Sequence, residues 1–417
     1  MAIRVLWLST GAGMLHDTNS YHGGGWVASL QQLVANDKSV SLAIAFLSDR
    51  AMDKLEQDGV VYYPIYKEKT TAIQKLRYYY GGYKKIDHSL YIERVKDVID
   101  DFKPDVIHCF GMETPLASIL GQTDIPVVVH LQGLLSSFSE AFFPPGINKF
   151  SFLWPVTIRE YVLRNNFIFA YNSMCSRASY EKALFKKLHY CMGRTAWDKN
   201  VSRLLAPQSV YFHCDEVLRV PFYDHAGQWR LAEKKLRVVS TISNTIYKGL
   251  DLILKTASNL TNAGIDFVWN VIGIEAQCDL VRFFEHSLGI QSVKVNVHYM
   301  GVMQADEIVS ALLQSSVYVH PSYIDNSPNS LCEAQILGLP VIGTYVGGIP
   351  SLIENRVTGI LVPANGSYEL AYLLQYIQGH PDFCRELSHN GFAVAMKRHN
   401  KEKILKELIT VYNKLAG

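Results

Sequence analysis

No window of the 417-residue chain holds the ~18 uninterrupted apolar residues that a bilayer-spanning helix needs, so no membrane span is expected. Neither sign of charge is in excess. Forty Lys and Arg against 38 Asp and Glu leave a formal +2, too balanced to imply nucleic acid as a partner. The seven cysteines form no C-x-x-C pair and no even framework, which argues against a structural zinc site and for reduced core residues of a cytosolic protein. Internal repeats and low-complexity tracts are missing. Gly11-Ala12-Gly13 is not continued by the third glycine of G-x-G-x-x-G, which disfavours a Rossmann dehydrogenase. The apolar run over residues 1–10 is too short for a signal peptide and reads as a first buried strand entering a glycine loop.

What the chain does have is ordinary globular composition, 48% apolar and 19% charged, at a length that suits two domains. Short apolar runs at 3–9, 41–47, 105–110, 127–131, 167–171 and 210–214 read as strands, with helical patterns at 89–102 and 177–188. The alternation tightens in the second half, with strands expected at 237–243, 267–273, 293–300, 317–321, 341–345 and 359–363. Val- and Ile-rich runs separated by helices argue for parallel sheets covered on both faces, an α/β class. The pattern breaks over residues 220–235. The expected division is 1–222 for a first Rossmann-like domain and 223–398 for a second. A C-terminal helix over 399–417, apolar at Ile404, Leu408 and Tyr412, would pack back toward the first domain. Two doubly wound domains facing a central cleft would bind ligands outside the carboxyl ends of their strands.

Residues 317–348 are the most informative. A strand ends at His320-Pro321, a polar loop runs from Ser322 to Ser327, and a helix begins near Pro328 with Ser327 as its expected N-cap, ending at Gly338. The amides around Ser327, Asn329, Ser330 and Leu331, with the positive helix end, make an anion site. Asp325 before this helix and Glu333 on it are acceptor-only carboxylates, suited to a ligand carrying both phosphate and sugar hydroxyls. Turn capping by Asp325 and a solvated Glu333 would account for the same residues.

The segment resembles the donor-binding signature of retaining glycosyltransferases of family 4 (glycosyl transferases group 1), which have the GT-B fold. The family pattern E-x7-E, then A and G-x-P-V-I, is matched here by Asp325-x7-Glu333, Ala334 and Gly338-Leu339-Pro340-Val341-Ile342. Gly347-Gly348-Ile349-Pro350 and Thr358-Gly359-Ile360-Leu361-Val362-Pro363 resemble the next block. The resemblance implies that Glu333 holds the ribose hydroxyls of a UDP- or GDP-linked donor. Asp325, in place of the family's first glutamate, would contact the transferred sugar. Lys248, before Gly249, would bind the diphosphate. The arginine that usually stands five residues earlier is Ser243, followed by Asn244. Gly273 lies where the family holds the base, and a plain strand-end turn explains it equally. The triple glycine Gly23-Gly24-Gly25 before Trp26 resembles the family's N-terminal Gly-Gly loop, placing Gly24 and Gly25 at the donor, although a plain turn has the same residues. His130, after the 126–129 strand, would lie near the sugar. His108, inside its strand, reads as a core residue, and His320 as a strand-end residue.

Basic and aromatic residues interleave over 70–85, and Phe and Trp crowd 136–169. These stretches suit a glycan acceptor, an anionic membrane presenting a lipid-linked acceptor, or plain packing on the first domain. The implied function is transfer of a hexose-type sugar with retention, in surface polysaccharide or glycoconjugate synthesis. No D-x-D pair stands in a donor-loop context, so no metal and no cofactor beyond the nucleotide-sugar is expected. The expected place is the cytoplasm, with peripheral contact at the inner membrane face. A nucleotide-sugar epimerase or glycan phosphorylase on the same fold, and a degenerate scaffold prompted by the missing arginine, are the alternatives.

Overall fold

The computed structural model describes residues 2–15, 25–67, 88–148, 151, 166–231 and 235–417. Gly23, Gly24, the 70–85 stretch, and Phe150, Phe152, Trp154, Arg159 and Arg164 lie outside the described residues.

Two compact units emerge. The first comprises Met1–Ser139, Asn172–Val217 and His399–Gly417, and the second Glu140–Tyr171 and Leu218–Arg398. The chain passes between them at 139/140, 171/172, 217/218 and 398/399, the third crossing lying ahead of the 222/223 boundary expected from the seam. The reason is the short helix Val220–Asp224, which packs against the helices Ala305–Leu313 and Asn329–Leu337 of the second unit.

The first unit holds an eight-stranded sheet: β1 (Ile3–Ser9), β2 (Val40–Ser48), β3 (Leu55–Gln57), β4 (Val60–Tyr66), β5 (Val106–Phe110), β6 (Val127–His130), β7 (Tyr190–Gly193) and β8 (Val210–His213), in the order β3-β4-β2-β1-β5-β6-β7-β8. All neighbours run parallel except β3 and β4. That pair is a hairpin turned by Asp58 (φ 51°) and Gly59 (φ 73°), the left-handed pair that a two-residue type I′ turn requires. Helices α1 (Gly25–Ala35), α2 (Ser89–Phe102) and α3 (Phe167–Phe185) belong to the crossovers. The strand expected at 167–171 is instead the start of α3. Asn166 Oδ1 accepts the N–H groups of Ile168 and Phe169 at 3.1 and 3.2 Å, capping the helix before its apolar run can extend.

The C-terminal helix Lys401–Ala416 lies on this unit, and its Tyr412 is fully buried. His108, on β5, is also fully buried, and burial pushes its pKa down to about 3. A neutral buried histidine stabilises the fold fully above its unfolded-state value of ~6.5. That contribution is lost as pH falls toward the folded value, at about 1.4 kcal/mol per pH unit. Between pH 7 and 5 the wild type is therefore expected to lose about 2 kcal/mol more stability than His108→Phe, measured by urea unfolding.

The second unit holds a six-stranded parallel sheet: β9 (Leu236–Thr241), β10 (Phe267–Ile272), β11 (Val297–Gly301), β12 (Val317–His320), β13 (Val341–Thr344) and β14 (Ile360–Val362), in the order β11-β10-β9-β12-β13-β14. The strand expected over 293–300 is shorter. A 3₁₀ turn, Ser292–Val295, ends at Asn296 with φ 53°, and β11 starts after it. The chain starts in the middle of this sheet, winds outward to β11, and returns to add β12 on the other side of β9. Crossovers therefore diverge at β9 and β12, and a crevice opens beyond their carboxyl ends. No helix among the described residues is long and apolar enough to cross a membrane.

Candidate functional site

The loops leaving β9 and β12 meet at this switch point. After β9, a single 3₁₀ turn, Ile246–Lys248, closes at Gly249 with φ 78° and leads into α4 (Leu250–Asn262). A Cβ on Gly249 would lie 2.0 Å from the Pro321 carbonyl oxygen, so only glycine lets the two loops touch. This contact delivers Lys248 Nζ to 2.6 Å from Asp325 Oδ2. His320, the last residue of β12, brings Nε2 to 2.9 Å from the same oxygen.

Electrostatics fix the protonation of this trio. Burial pushes the His320 imidazole down, outweighing the pull of Asp325, so it is neutral and its Nε2–H is assigned as donor to the carboxylate. Burial favours a protonated Asp325, but the Lys248 ammonium and His320 together outweigh it and hold the carboxyl below the usual range. For Lys248, burial opposes the charge and Asp325 more than restores it, leaving the pKa raised. At neutral pH the site is thus an ammonium–carboxylate pair beside a neutral imidazole.

The Asp325 backbone is held equally closely. Its carbonyl accepts the Gly348 N–H at 2.9 Å, and a Cβ on Gly347 would sit 2.0 Å from that oxygen. Tyr323 pins the same loop to α4, its hydroxyl donating to Asp251 Oδ2 at 2.8 Å and its N–H to the Tyr247 carbonyl at 2.7 Å. Phe142, from the aromatic stretch, is buried against Tyr247, Phe143 and Tyr171, so its ring serves packing rather than an open stacking platform.

The helix after this loop is α5 (Asn329–Leu337), ending at Gly338 as expected. Its N-cap is Pro328, not Ser327, and no side chain caps it. The fixed proline φ sets the entry, and the Pro328 carbonyl accepts the Leu331 and Cys332 N–H groups at 3.0 and 3.3 Å. Ser327 is buried, Leu331 lies in the core, Ser330 Oγ accepts the Tyr318 hydroxyl at 2.8 Å, and Asn329 Oδ1 is buried with no hydrogen-bond partner.

Glu333 is not solvated. It is 3% exposed and grips Arg219 in a two-pronged pair, Nε to Oε1 at 2.7 Å and Nη2 to Oε2 at 2.8 Å. Burial works against the Arg219 charge, and Glu333 more than compensates, raising its pKa. Sequence reasoning missed both Arg219 and the part played by His320. Arg219 lies 114 residues from its partner, and no local pattern marks it.

Other candidates stand apart from the trio. Ser243 and Asn244 are exposed, and Ser243 Oγ is 3.1 Å from Thr245 Oγ1. Gly273 (φ 102°) directly follows β10, where a Cβ would come 2.3 Å from the Ile242 carbonyl oxygen, a backbone reason for glycine. In the first unit, Gly25 opens α1, and Gly24 lies outside the described residues. His130 ends β6 fully buried, edge-on to Trp26 at 5.1 Å and stacked on His108 at 5.4 Å. Burial first, and then the nearby Arg194 guanidinium, push its pKa well down, so its ring is neutral.

Residues 224–394 match the family described as glycosyl transferases group 1. The amylovoran biosynthesis glycosyltransferase AmsK of Erwinia amylovora is 30% identical over 154 residues, 35% of this chain and 37% of that protein. The match spans about a third of the length of such curated relatives. Sucrose-phosphate synthase from Thermosynechococcus elongatus shares the fold over 99% of both chains, at a TM-score of 0.73 and 16% identity. Anabaena Alr3699/HepE in complex with UDP and glucose does so over 99% of both chains, at 0.63 and 14%. Residues 224–394 thus match the glycosyl transferases group 1 family, within a chain that has the GT-B fold of two Rossmann-like domains.

Proposed function

We propose that the chain is a retaining, metal-independent glycosyltransferase that moves a hexose from a nucleoside-diphosphate sugar to a hydroxyl of a glycan or lipid-linked acceptor in polysaccharide synthesis. The observation that carries this is the Lys248–Asp325 pair, set where the crossovers of the matched domain diverge. Amylovoran biosynthesis, in the name of one relative, supports a polysaccharide product, and the UDP and glucose in one fold neighbour support the donor class.

In this reading the donor diphosphate approaches Lys248 and the first-turn amides of α5. The ammonium then shares its charge between Asp325 and the phosphate, and stabilises the leaving group as the glycosidic bond breaks. Asp325 Oδ2 already accepts from Lys248 and His320, which leaves Oδ1 for sugar hydroxyls beside its contact with the Asn326 N–H. Glu333 takes the ribose, sharing its oxygens with Arg219. His130 serves near the sugar as a neutral hydrogen-bonding group. The leaving phosphate accepts the acceptor's proton on the face from which it departs.

Metal-free calorimetry of UDP, GDP, ADP and CMP tests the reading. One nucleoside diphosphate binding well names the donor base, and its hexose conjugates are then tried with NMR of the anomeric product. A second reading, a scaffold without donor binding, is favoured by the exposed Ser243 where the family has arginine. It predicts that none of the four binds at millimolar concentration.

A further inference from the structure

We propose that Tyr412 of the C-terminal helix is a positioning residue for His130, acting through His108. The proposal rests on the reading of His130 as a residue at the reacting sugar.

Strand register gathers the parts. Trp7 on β1 pairs with His108 on β5, and Phe110 on β5 pairs with His130 on β6. His108 and Phe110 are two residues apart, so these four rings share one face of the sheet. The C-terminal helix touches β1, β5 and α1 on that face. Its Tyr412 hydroxyl accepts the Trp7 indole N–H at 3.0 Å and lies 2.6 Å from His108 Nδ1.

Proton accounting assigns the second bond. If His108 carried its proton on Nδ1, both the Tyr412 hydroxyl proton and Nε2 would be buried without partners. With Tyr412 donating to Nδ1, only His108 Nε2 lacks one. The C-terminal helix thereby holds His108 in its Nε2–H tautomer with its ring plane set.

That plane is passed on to His130. The His108 ring stacks on Phe110 at 4.2 Å and 20°, and on His130 at 5.4 Å and 13°. Trp26 meets His130 and Phe110 edge-on at 5.1 and 5.7 Å, with the Arg194 guanidinium 5.3 Å over the indole. His130 is thus packed by His108, Phe110 and Trp26, and within that group the Tyr412 hydroxyl, 304 residues away, makes the hydrogen bond that sets the His108 ring. Tyr412→Phe keeps the ring and removes that bond.

The test uses the full chain labelled at histidine, with imidazole ¹⁵N–¹H spectra in which His108→Gln and His130→Gln assign the two rings. The expected wild-type spectrum has His108 as Nε2–H. In Tyr412→Phe, His108 is expected to mix tautomers and the His130 signal to shift. Hydrolysis of the nucleotide-hexose selected by calorimetry, with water as acceptor, is expected to lose on the order of tenfold in kcat with KM within twofold. Trp7→Phe, which spares the Tyr412–His108 bond, is expected to lower the melting temperature without moving the His130 signal. A Tyr412→Phe variant that melts lower yet keeps both the His130 signal and kcat makes Tyr412 a packing residue and overturns the proposal. An unchanged kcat in His130→Gln overturns the reading of His130 itself, whereas an inactive His130→Gln beside unmoved Tyr412→Phe spectra overturns the positioning alone.

Discussion

Replacing Lys248 by methionine is expected to weaken nucleoside diphosphate binding at least tenfold, about 1.4 kcal/mol, and to lower stability by about 3 kcal/mol. Methionine fills much of the volume of the lysine stem, so the change isolates the charge. Asp325 and Lys248 have side chains only 12% and 21% exposed, and the neutral His320 cannot replace the lost cation. The sign with pH follows from the depressed carboxyl. In the wild type Asp325 stabilises the fold above its unfolded value of ~3.9, and the benefit is lost as pH falls through the lower folded value. The variant removes the main cause of that depression, so its stability deficit should shrink on acidification from pH 5 to pH 3. Calorimetry with the bound nucleotide and urea unfolding across this range measure both effects. A variant that binds nucleotide as tightly as the wild type would remove Lys248 from the phosphate site.

The second large effect is expected at Arg219. Arg219→Leu leaves the Glu333 carboxylate 3% exposed with its two-pronged partner gone, and should cost about 3–5 kcal/mol. The cost comes from stranding a charge rather than from a large net worth of the pair. Arg219→Leu combined with Glu333→Met is therefore expected to recover most of the stability while abolishing nucleotide binding. Arg219→Lys should recover little, because an ammonium cannot match both oxygens at 2.7 and 2.8 Å. Urea unfolding of the single and double variants gives the coupling directly. Additive losses would mean that the two side chains do not act as a pair.

Local chemistry explains which elements were legible. Strands such as β1, β5 and β10 are short β-rich runs bounded by breakers, and α2 shows a clean helical period, so each could be read within two residues of its ends. The run Phe167-Ile168-Phe169-Ala170-Tyr171 reads as a strand yet is helix, since a short apolar stretch satisfies either period. Asn166 decided for helix, and an asparagine just before such a run is a usable signal. Asp58-Gly59 is an equally readable hairpin turn, but the three-residue β3 before it is too short to show a strand period.

The sequence by itself determined the α/β class, the two winding halves and the glycine-punctuated segment that carries Asp325 and Glu333, because spacing, turn residues and helix ends act within about ten residues. Lys248 was legible for the same reason, standing one residue before the left-handed Gly249. What those residues touch was decided only by the tertiary structure. The Lys248–Asp325 pair spans 77 residues, Arg219–Glu333 spans 114, and His108–Tyr412 spans 304. The first is assembled where parallel strands from distant parts of the chain end side by side, the second where the residue before one helix meets a distant helix, and the third where the C-terminal helix lies on a strand. No local pattern encodes such a meeting, and only burial then converts it into shifted protonation and a fixed ring plane.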